Sequence, residues 1–247
     1  MARFGRVLTA MVSPFDAHGA LDIDAAVALA TWLVDQGNEG LVVAGTTGES
    51  PTLSIDEKLQ LFEAVAQAVT VPVIAGTTGS NTTHDIGLTE EAGRLGVAGI
   101  LAVCPYYNRP SQAGIETHFR AIASSTDLPV VLYDIPIRAG RKIESTTIVR
   151  LAADVPNILA LKDAAKNPGA TAAVVANTPA EFEVYSGDDS MTLPLLAVGA
   201  VGAIGVATHW CAPDHVAMFD AWGSGDPEAA RLINARQLES FEFEGSE

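Results

Sequence analysis

The sequence is poor in basic residues and in cysteine, and each shortage excludes a class of function. Lysine and arginine together number 14 against 30 aspartates and glutamates, which gives a formal net charge of −16. Nucleic-acid binding is not expected from such a chain, because contacts with phosphates come from clustered lysines and arginines. The two cysteines, Cys104 and Cys211, form no CxxC motif and no disulfide-dense pattern, which is typical of buried thiols in a reducing compartment.

Long hydrophobic runs and clustered metal ligands are missing as well. No apolar stretch reaches the roughly 18 residues of a membrane span, and Val7–Val12 has the length of a strand rather than of a signal-peptide core. We therefore expect a cytoplasmic protein that does not bind membranes. The five histidines are scattered, so no metal site is expected. Gly199–Gly205 lacks the preceding strand of a dinucleotide fingerprint, so no cofactor is expected either.

The composition favours one large α/β domain. Hydrophobic residues make up 48% of the 247 residues, which is enough for a core, and a single α/β barrel takes about 250 residues. Eight short apolar runs end in glycine, proline or polar residues, as do strands that are covered on both faces in parallel sheets. The predicted strands are Val7–Val12, Leu41–Ala44, Val73–Ala75, Ile100–Val103, Val130–Tyr133, Ile158–Leu161, Phe182–Tyr185 and Ala203–Val206.

Helical patterns separate these runs. Ser54 and Glu57 match a capping box at the start of one predicted helix. Most predicted strand ends lie about 30 residues apart, which is the length of one βαβ unit. The pattern predicts a (β/α)₈ TIM barrel over residues 1–208, with a doubly wound sheet as the alternative. Residues 209–247 are expected to form a shortened, apparently truncated C-terminal helical segment, with helices near Pro213–Trp222 and Asp226–Leu238 and an unpacked acidic tail.

Lys162 is the most informative residue at a predicted strand end. It follows the apolar run Ile158–Leu161, and lysine is almost never buried without a partner or a function. Burial disfavours the charged ammonium, so a buried lysine can supply a neutral amine that attacks a carbonyl and forms a Schiff base. The alternatives are an ion pair with Asp163 or Asp188, or a side chain that extends to solvent.

Two copies of a Gly-Thr-Thr-Gly motif follow predicted strands two and three, at Gly45–Gly48 and Gly76–Gly79. Backbone N–H groups and threonine hydroxyls at such a turn can bind a carboxylate, although the same residues also suit a simple tight turn. The spacing does not decide which copy faces a ligand. Neither copy is a P-loop, because no Lys-Ser or Lys-Thr follows at the required distance.

Two further side chains lie near the same predicted rim. Tyr133 ends the fifth strand next to the strand of Lys162 and can transfer protons there, or place its hydroxyl in water. Arg138 lies in the fifth loop, where a guanidinium can bind a carboxylate through two hydrogen bonds or remain a solvated charge. Tyr106 and Tyr107 are predicted to pack on a partner or to form a local cap. Asp188 and Asp189 after strand seven argue against a phosphorylated substrate.

Five ordered motifs over nearly the whole chain resemble the dihydrodipicolinate synthase family. They are Gly45-Thr46-Thr47-Gly48-Glu49, Pro105-Tyr106-Tyr107-Asn108, Tyr133-Asp134-Ile135-Pro136-Ile137-Arg138, Leu161-Lys162-Asp163-Ala164 and Ser186-Gly187-Asp188-Asp189. The resemblance implies a homodimeric or homotetrameric (β/α)₈ lyase of lysine and diaminopimelate biosynthesis. Such an enzyme condenses pyruvate with L-aspartate 4-semialdehyde through a lysine Schiff base, without a cofactor or metal.

The resemblance also implies a role for each motif residue. Lys162 would form the Schiff base, and Thr47 with Thr46 would bind the pyruvate carboxylate, which selects the first Gly-Thr-Thr-Gly copy. Tyr133, Thr46 and a Tyr107 supplied by the neighbouring subunit would form a proton relay. Arg138 would bind the carboxylate of the aldehyde substrate. The backbone carbonyls of Gly187 and Ile204 would line the pyruvate site.

Two other functions remain open at this stage. N-acetylneuraminate lyase and 2-keto-3-deoxygluconate aldolase look similar at the lysine and the paired threonines, so the chain could be another pyruvate-dependent aldolase. The Tyr-x-x-Pro-x-Arg arrangement of Tyr133, Pro136 and Arg138 resembles the synthase more than these relatives. The short C-terminus leaves a catalytically silent, truncated barrel as the third hypothesis.

Overall fold

The computed structural model describes residues 2–244, and its eight parallel strands close into a barrel. Each strand pairs with the next along the chain, and the last pairs with the first. The strands are β1 (Val7–Ala10), β2 (Gly40–Val43), β3 (Val73–Gly76), β4 (Gly99–Val103), β5 (Val130–Asp134), β6 (Ile158–Asp163), β7 (Glu183–Ser186) and β8 (Gly202–Gly205).

The predicted (β/α)₈ barrel is confirmed. A doubly wound sheet is excluded because Leu8 of β1 pairs with Ile204 of β8, which closes the ring. Each predicted strand overlaps an observed one, and the differences are confined to the ends. The first strand stops at Ala10, for example, and Val12 is 40% exposed in the loop that follows.

Helices follow the strands, and the longer ones cover the outside of the barrel. They are α1 (Ile23–Asp35), α2 (Ile55–Ala68), α3 (Thr82–Ala92), α4 (Gln112–Ala123), α5 (Pro136–Ala139), α6 (Ser145–Asp154), α7 (Pro168–Asn177), α8 (Thr192–Ala197), α9 (Thr208–Gly223), α10 (Pro227–Arg236) and α11 (Leu238–Glu244). The predicted capping box is confirmed at the start of α2: the Glu57 N–H donates to the Ser54 hydroxyl, and the Ser54 N–H donates to the Glu57 carboxylate. Within residues 2–244, no helix has both the length and the apolar character needed to cross a membrane.

The strands bury both faces, which explains their nearly unbroken apolar sequences. One face packs against the surrounding helices through a large cluster that includes Leu41, Phe62 and Phe119. The other face fills the barrel with a smaller cluster that includes Tyr133, Tyr185 and Ile204. The interior is therefore a packed core, and ligands can enter only at the rim where the strands end.

The C-terminal helices differ from the prediction in two places. Helix α9 begins at Thr208 rather than near Pro213, because Thr208 and Ala212 are fully buried and their packing stabilises an earlier helical turn despite the internal proline. The acidic segment after Leu238 is not an unpacked tail up to residue 244. It forms α11, whose buried Phe241 contacts the His215 ring, with ring centroids 6.0 Å apart. Residues 245–247 of the predicted tail lie outside the described residues.

Candidate active site

Lys162 lies at the end of β6 with its side chain inside the barrel. Its register partners are Tyr133 on β5 and Tyr185 on β7, and only 3% of Lys162 is exposed. The Lys162 Nζ lies 4.5 Å from the centroid of the Tyr133 ring. This burial rules out the alternative in which the lysine extends to solvent, and it brings the amine and the phenol of the predicted relay together.

The segment that follows Lys162 is held by Asp163. One oxygen of this buried carboxylate accepts a hydrogen bond from the Ala165 N–H at 2.9 Å, and the other accepts from the Thr171 hydroxyl at 2.6 Å. The Asp163 carbonyl accepts from the Gly187 N–H at 2.8 Å, which places Gly187 next to the lysine. Asp188, the other predicted partner of Lys162, forms an ion pair with Lys166 at 2.8 Å.

The first Gly-Thr-Thr-Gly copy forms a tight turn at the end of β2. Ala44 enters the turn at φ +50° and Glu49 leaves it at φ +53°, both in the left-handed region. The Glu49 N–H donates to the Thr46 carbonyl and closes the turn. Thr46 lines the cavity described below, whereas Thr47 is half-buried and is not among the residues that line it.

The second copy has a different structural role. A Cβ at Gly76 would overlap the Ala44 carbonyl oxygen, so glycine is required where β3 passes this turn. The buried Thr77 hydroxyl shares a hydrogen bond of 2.7 Å with Thr89 on α3. Thr78 accepts from the Val103 N–H at 2.7 Å and lines the cavity. Much of this copy is therefore used to pack β3 and α3.

A cavity of about 230 Å³ opens between the ends of strands β2 to β5. It brings together Thr46, Tyr133 and Arg138, three of the predicted site residues. Lys162 does not line the cavity itself, but it contacts Tyr133, which is one of the lining residues. The full lining is Ala44, Gly45, Thr46, Ser50, Pro51, Gly76, Thr78, Leu101, Val103, Tyr106, Tyr133, Ile135, Arg138 and Ala139.

Arg138 reaches this cavity from the short helix α5 rather than from an irregular loop. The segment is fixed by Asp134, whose buried carboxylate accepts from the Ile143 N–H at 3.0 Å and pairs with Lys142 at 2.9 Å. Burial raises the pKa of Asp134 above its ordinary value, and the Ile143 N–H and the Lys142 ammonium act in the opposite direction. Arg109 supports the other side of the segment, because its Nε–H donates to the Gly140 carbonyl at 3.0 Å.

The two adjacent tyrosines separate. Tyr107 has a φ of +69° and is 89% exposed, so within one chain it lies outside the cavity. Tyr106 lines the cavity, and burial raises the pKa of its phenol. Of the other predicted residues, Ile204 is fully buried in the same interior cluster as Tyr133.

Sequence reasoning missed one polar contributor to the cavity wall, Ser50. It left open whether the copy that contains Thr78 faces a ligand, and it expected Tyr106 to pack on a partner or to form a local cap, whereas both residues line the cavity. Their positions after strand ends were visible in the sequence. Their orientation depends on turns that bring separate strands together, for which the sequence carries no local signal. Among residues 2–244, no group of three or more histidine, cysteine, aspartate or glutamate residues is arranged to hold a metal ion.

The chain is similar to known proteins over nearly its whole length. The model of the dihydrodipicolinate synthetase family matches residues 3–243. The chain is 49% identical over 241 residues to 4-hydroxy-tetrahydrodipicolinate synthase of Moorella thermoacetica, covering 97% of this chain and 82% of that protein.

Two solved structures are similarly close. The lysine-bound dihydrodipicolinate synthase of Cyanidioschyzon merolae superposes with a TM-score of 0.96 at 43% identity, covering 98% of this chain and 83% of that one. The chloride-inhibited enzyme of Acinetobacter baumannii, complexed with pyruvate, gives a TM-score of 0.94 at 32% identity, covering 99% of this chain and 84% of that one.

Proposed function

This chain belongs to the dihydrodipicolinate synthetase family, and on that premise we propose that it condenses pyruvate with L-aspartate 4-semialdehyde to give 4-hydroxy-tetrahydrodipicolinate. The protein is a Schiff-base lyase of lysine and diaminopimelate biosynthesis. The observation that carries this function is the buried Lys162 amine 4.5 Å from the Tyr133 ring, beside a cavity that Thr46 and Arg138 also line.

The covalent chemistry begins at Lys162. Its Nζ attacks the keto carbon of pyruvate, and loss of one water gives an imine. The imine withdraws electrons from the methyl group, so that loss of one methyl proton gives an enamine. The enamine carbon attacks the aldehyde carbon, and the new alkoxide takes up a proton. The substrate's amino group then attacks the imine carbon and displaces Lys162, which closes the ring and regenerates the free amine.

The polar groups around Lys162 are assigned to binding and proton transfer. The Thr46 and Thr47 hydroxyls hold the pyruvate carboxylate at the end of β2. Tyr133 transfers protons during formation and breakdown of the imine, through Thr46 to a Tyr107 from a second subunit. The exposure of Tyr107 supports this assignment, because a side chain 89% exposed on one chain is available to reach another.

Two further assignments concern the substrates. Arg138 binds the carboxylate of L-aspartate 4-semialdehyde at the mouth of the cavity, where the guanidinium can make two parallel hydrogen bonds. The backbone carbonyls of Gly187 and Ile204 line the pyruvate site. The position of Gly187 beside Lys162 supports its part in this arrangement.

The proposal extends to assembly and compartment. We assign a homodimer or homotetramer, because Tyr107 must come from a neighbouring subunit if it serves the relay. The two buried free thiols, Cys104 and Cys211, support a reducing compartment such as the cytoplasm.

Trapping with borohydride tests the covalent step directly. The protein is incubated with pyruvate and sodium borohydride, digested, and analysed by mass spectrometry, with Lys162→Ala as the control. We expect one reduced pyruvate adduct per chain, on Lys162, and none in the variant. Folded wild-type protein without an adduct would identify a catalytically silent barrel and refute the proposal.

A substrate comparison separates the synthase from related aldolases. Condensation is measured with L-aspartate 4-semialdehyde, and cleavage is measured with N-acetylneuraminate and 2-keto-3-deoxygluconate. We expect activity with the first substrate alone. Preference for a sugar acid by a protein that still forms the Lys162 adduct would retain the Schiff base and overturn the assigned substrate.

A further inference from the structure

Strands β7 and β8 are held together over a short stretch. Their register comprises two pairs, Tyr185 with Gly202 and Ser186 with Ala203. On its other side, β8 pairs with β1 as far as Gly205, which lies opposite Thr9. The ladder to β7 therefore ends before β8 reaches the rim, and the segment from Ile204 to Ala207 needs another support on the β7 side.

Asp189 supplies that support. Its Oδ2 accepts hydrogen bonds from the Val206 N–H at 2.7 Å and from the Ala207 N–H at 3.2 Å. The side chain comes from the turn that follows β7, so its carboxylate replaces the missing ladder bonds between the two strand ends. Asp189 is 1% exposed, and a carboxylate is rarely placed in such a position without several polar partners.

The surroundings of Asp189 are shaped for this carboxylate. A Cβ at Gly205 would overlap Asp189 Oδ1, so a side chain there would displace the acid. Helix α9 begins at Thr208, directly after the two N–H groups that donate to Asp189, so the positive end of the helix dipole lies near this carboxylate. His215, fully buried on the same helix, places its Nε2 3.3 Å from Asp189 Oδ1.

The supported segment lies next to the reaction centre. Ile204 belongs to the interior cluster that contains Tyr133 and Ala164, and Ala164 directly follows the Lys162-Asp163 pair. Gly187 stands against Lys162 two positions before Asp189. A shift of either strand end would therefore move the walls that face the lysine.

We propose that Asp189 is a positioning residue, which holds the β8 end from Ile204 to Ala207 against β7 and so fixes the keto-acid side of the active site. This inference rests on the proposed function, because it assigns Ile204 and Gly187 to the pyruvate site. Asp189 acts through backbone N–H groups and is given no contact with substrate.

Two substitutions at Asp189 separate its hydrogen bonds from its charge. Asp189→Ala removes the acceptor of both N–H groups. Asp189→Asn keeps an amide oxygen for them and can direct its NH₂ group towards His215 Nε2. The control is Asp226→Ala. The Asp226 carboxylate also accepts a hydrogen bond from a backbone N–H at the start of a C-terminal helix, that of Ala229 at 2.9 Å, and Asp226 does not line the cavity.

Steady-state kinetics and borohydride trapping provide the readouts. We expect Asp189→Ala to raise the KM for pyruvate at least about tenfold and to slow adduct formation by a similar factor. The KM for L-aspartate 4-semialdehyde at saturating pyruvate should change less, since Arg138 lies on α5. Asp189→Asn should stay within about threefold of the wild type. Rates are normalised to the fraction of chains that pyruvate and borohydride can label at saturation, which removes the effect of unfolded protein.

Three outcomes would overturn the proposal. The first is an unchanged pyruvate KM in folded Asp189→Ala, and the second is equal impairment in Asp189→Ala and Asp189→Asn, which would make the charge itself the active feature. The third is loss of activity explained entirely by a smaller labelled fraction, as for a merely structural residue. If Asp189→Ala does not fold, Gly205→Ala replaces it, because its Cβ displaces the carboxylate and should give the same selective rise in pyruvate KM. Wild-type protein without a Lys162 adduct would instead refute the proposed function.

Discussion

Gly187 leaves the space that the Lys162 side chain occupies. A Cβ built at position 187 would lie 2.8 Å from Cγ and 3.1 Å from Cε of Lys162. Non-bonded carbon atoms pack at about 3.5–4.0 Å, so any larger residue at this position must displace the lysine or move the end of β7. The absence of a side chain at position 187 thus determines where the amine can be.

Gly187→Ala should impair imine formation while the barrel stays folded. The added methyl group pushes the lysine stem away from its position beside Tyr133, and a displacement of about 1 Å can lower a rate by about 100-fold. We expect at least about a tenfold slower reaction with pyruvate and borohydride. Gly87→Ala is the matched control, because a Cβ there meets no atom within 4 Å apart from its chain neighbours and the backbone of its own helix α3. Equal trapping rates in the two variants would show that the space beside Lys162 is not limiting.

Tyr107→Phe tests the role assigned to the exposed tyrosine. Loss of the hydroxyl should lower kcat by about 100-fold, the lower end of what general acid–base groups contribute. The imine should still form, because Lys162 is untouched, so the borohydride adduct should reach the wild-type amount. Tyr106→Phe provides the comparison on the neighbouring residue, which lines the cavity of its own chain. An unchanged kcat in Tyr107→Phe would remove this residue from the relay.

Arg138→Ala should act on the aldehyde substrate. We expect the KM for L-aspartate 4-semialdehyde to rise by about 10- to 100-fold, the effect of losing a charge-assisted pair of hydrogen bonds. The pyruvate adduct should form normally. Arg138→Lys should recover only part of the loss, because lysine lacks the planar fork of arginine. Kinetics in which both substrates are affected equally would contradict the assignment.

The buried His118 should make the free energy of unfolding depend on pH between about 4 and 6.5. The ring is buried, its Nδ1 lies 2.9 Å from the Thr82 hydroxyl, and burial lowers the pKa of His118 to about 4. Unfolding raises this pKa to its ordinary value of about 6.5, so the unfolded chain binds one more proton between these values. The free energy of unfolding is therefore unaffected by His118 above about pH 6.5, and it decreases as the pH falls towards 4 because the unfolded chain takes up the extra proton.

Urea unfolding of wild type and His118→Gln measures this contribution. Between pH 7 and pH 5 the wild type should lose about 2 kcal/mol more unfolding free energy than the variant. His84→Gln is the control, because His84 is exposed at the start of α3. Parallel pH profiles for wild type and His118→Gln would show that His118 is not the group responsible.

Much of the fold could be read from the sequence because parallel strands leave a local signature. Both faces of β2, β4 and β5 are buried, so their residues are almost uniformly apolar. The ends were less certain, as at Val12 and Pro213. The start of α9 depends on packing of Thr208 and Ala212 against the barrel, and a proline rule applied to the sequence cannot include that contact.

The candidate site, like the fold, could be predicted from the sequence only in part. Lys162, Tyr133, Thr46 and Arg138 were expected at one rim because every parallel strand ends on the same side, and the structure places them there. The two identical Gly-Thr-Thr-Gly copies could not be distinguished by local chemistry. Contacts with α3 and with the Ala44 turn separate them, and both contacts join residues that are distant in the chain.

Spacing and residue type by themselves determined eight alternating units of strand and helix and the set of side chains at the strand ends, because each unit leaves a local pattern. Closure of the barrel needed the pairing of Leu8 with Ile204, which joins the two ends of the sheet. The tertiary structure alone decided which groups share hydrogen bonds across strand ends. Asp188 and Asp189 show the difference most clearly. They are adjacent and chemically identical, yet Asp188 forms an ion pair with Lys166 near the surface, while the buried Asp189 accepts hydrogen bonds from the N–H groups that follow β8. The order of residues in the chain does not contain that distinction, since it arises only when β7 and β8 meet.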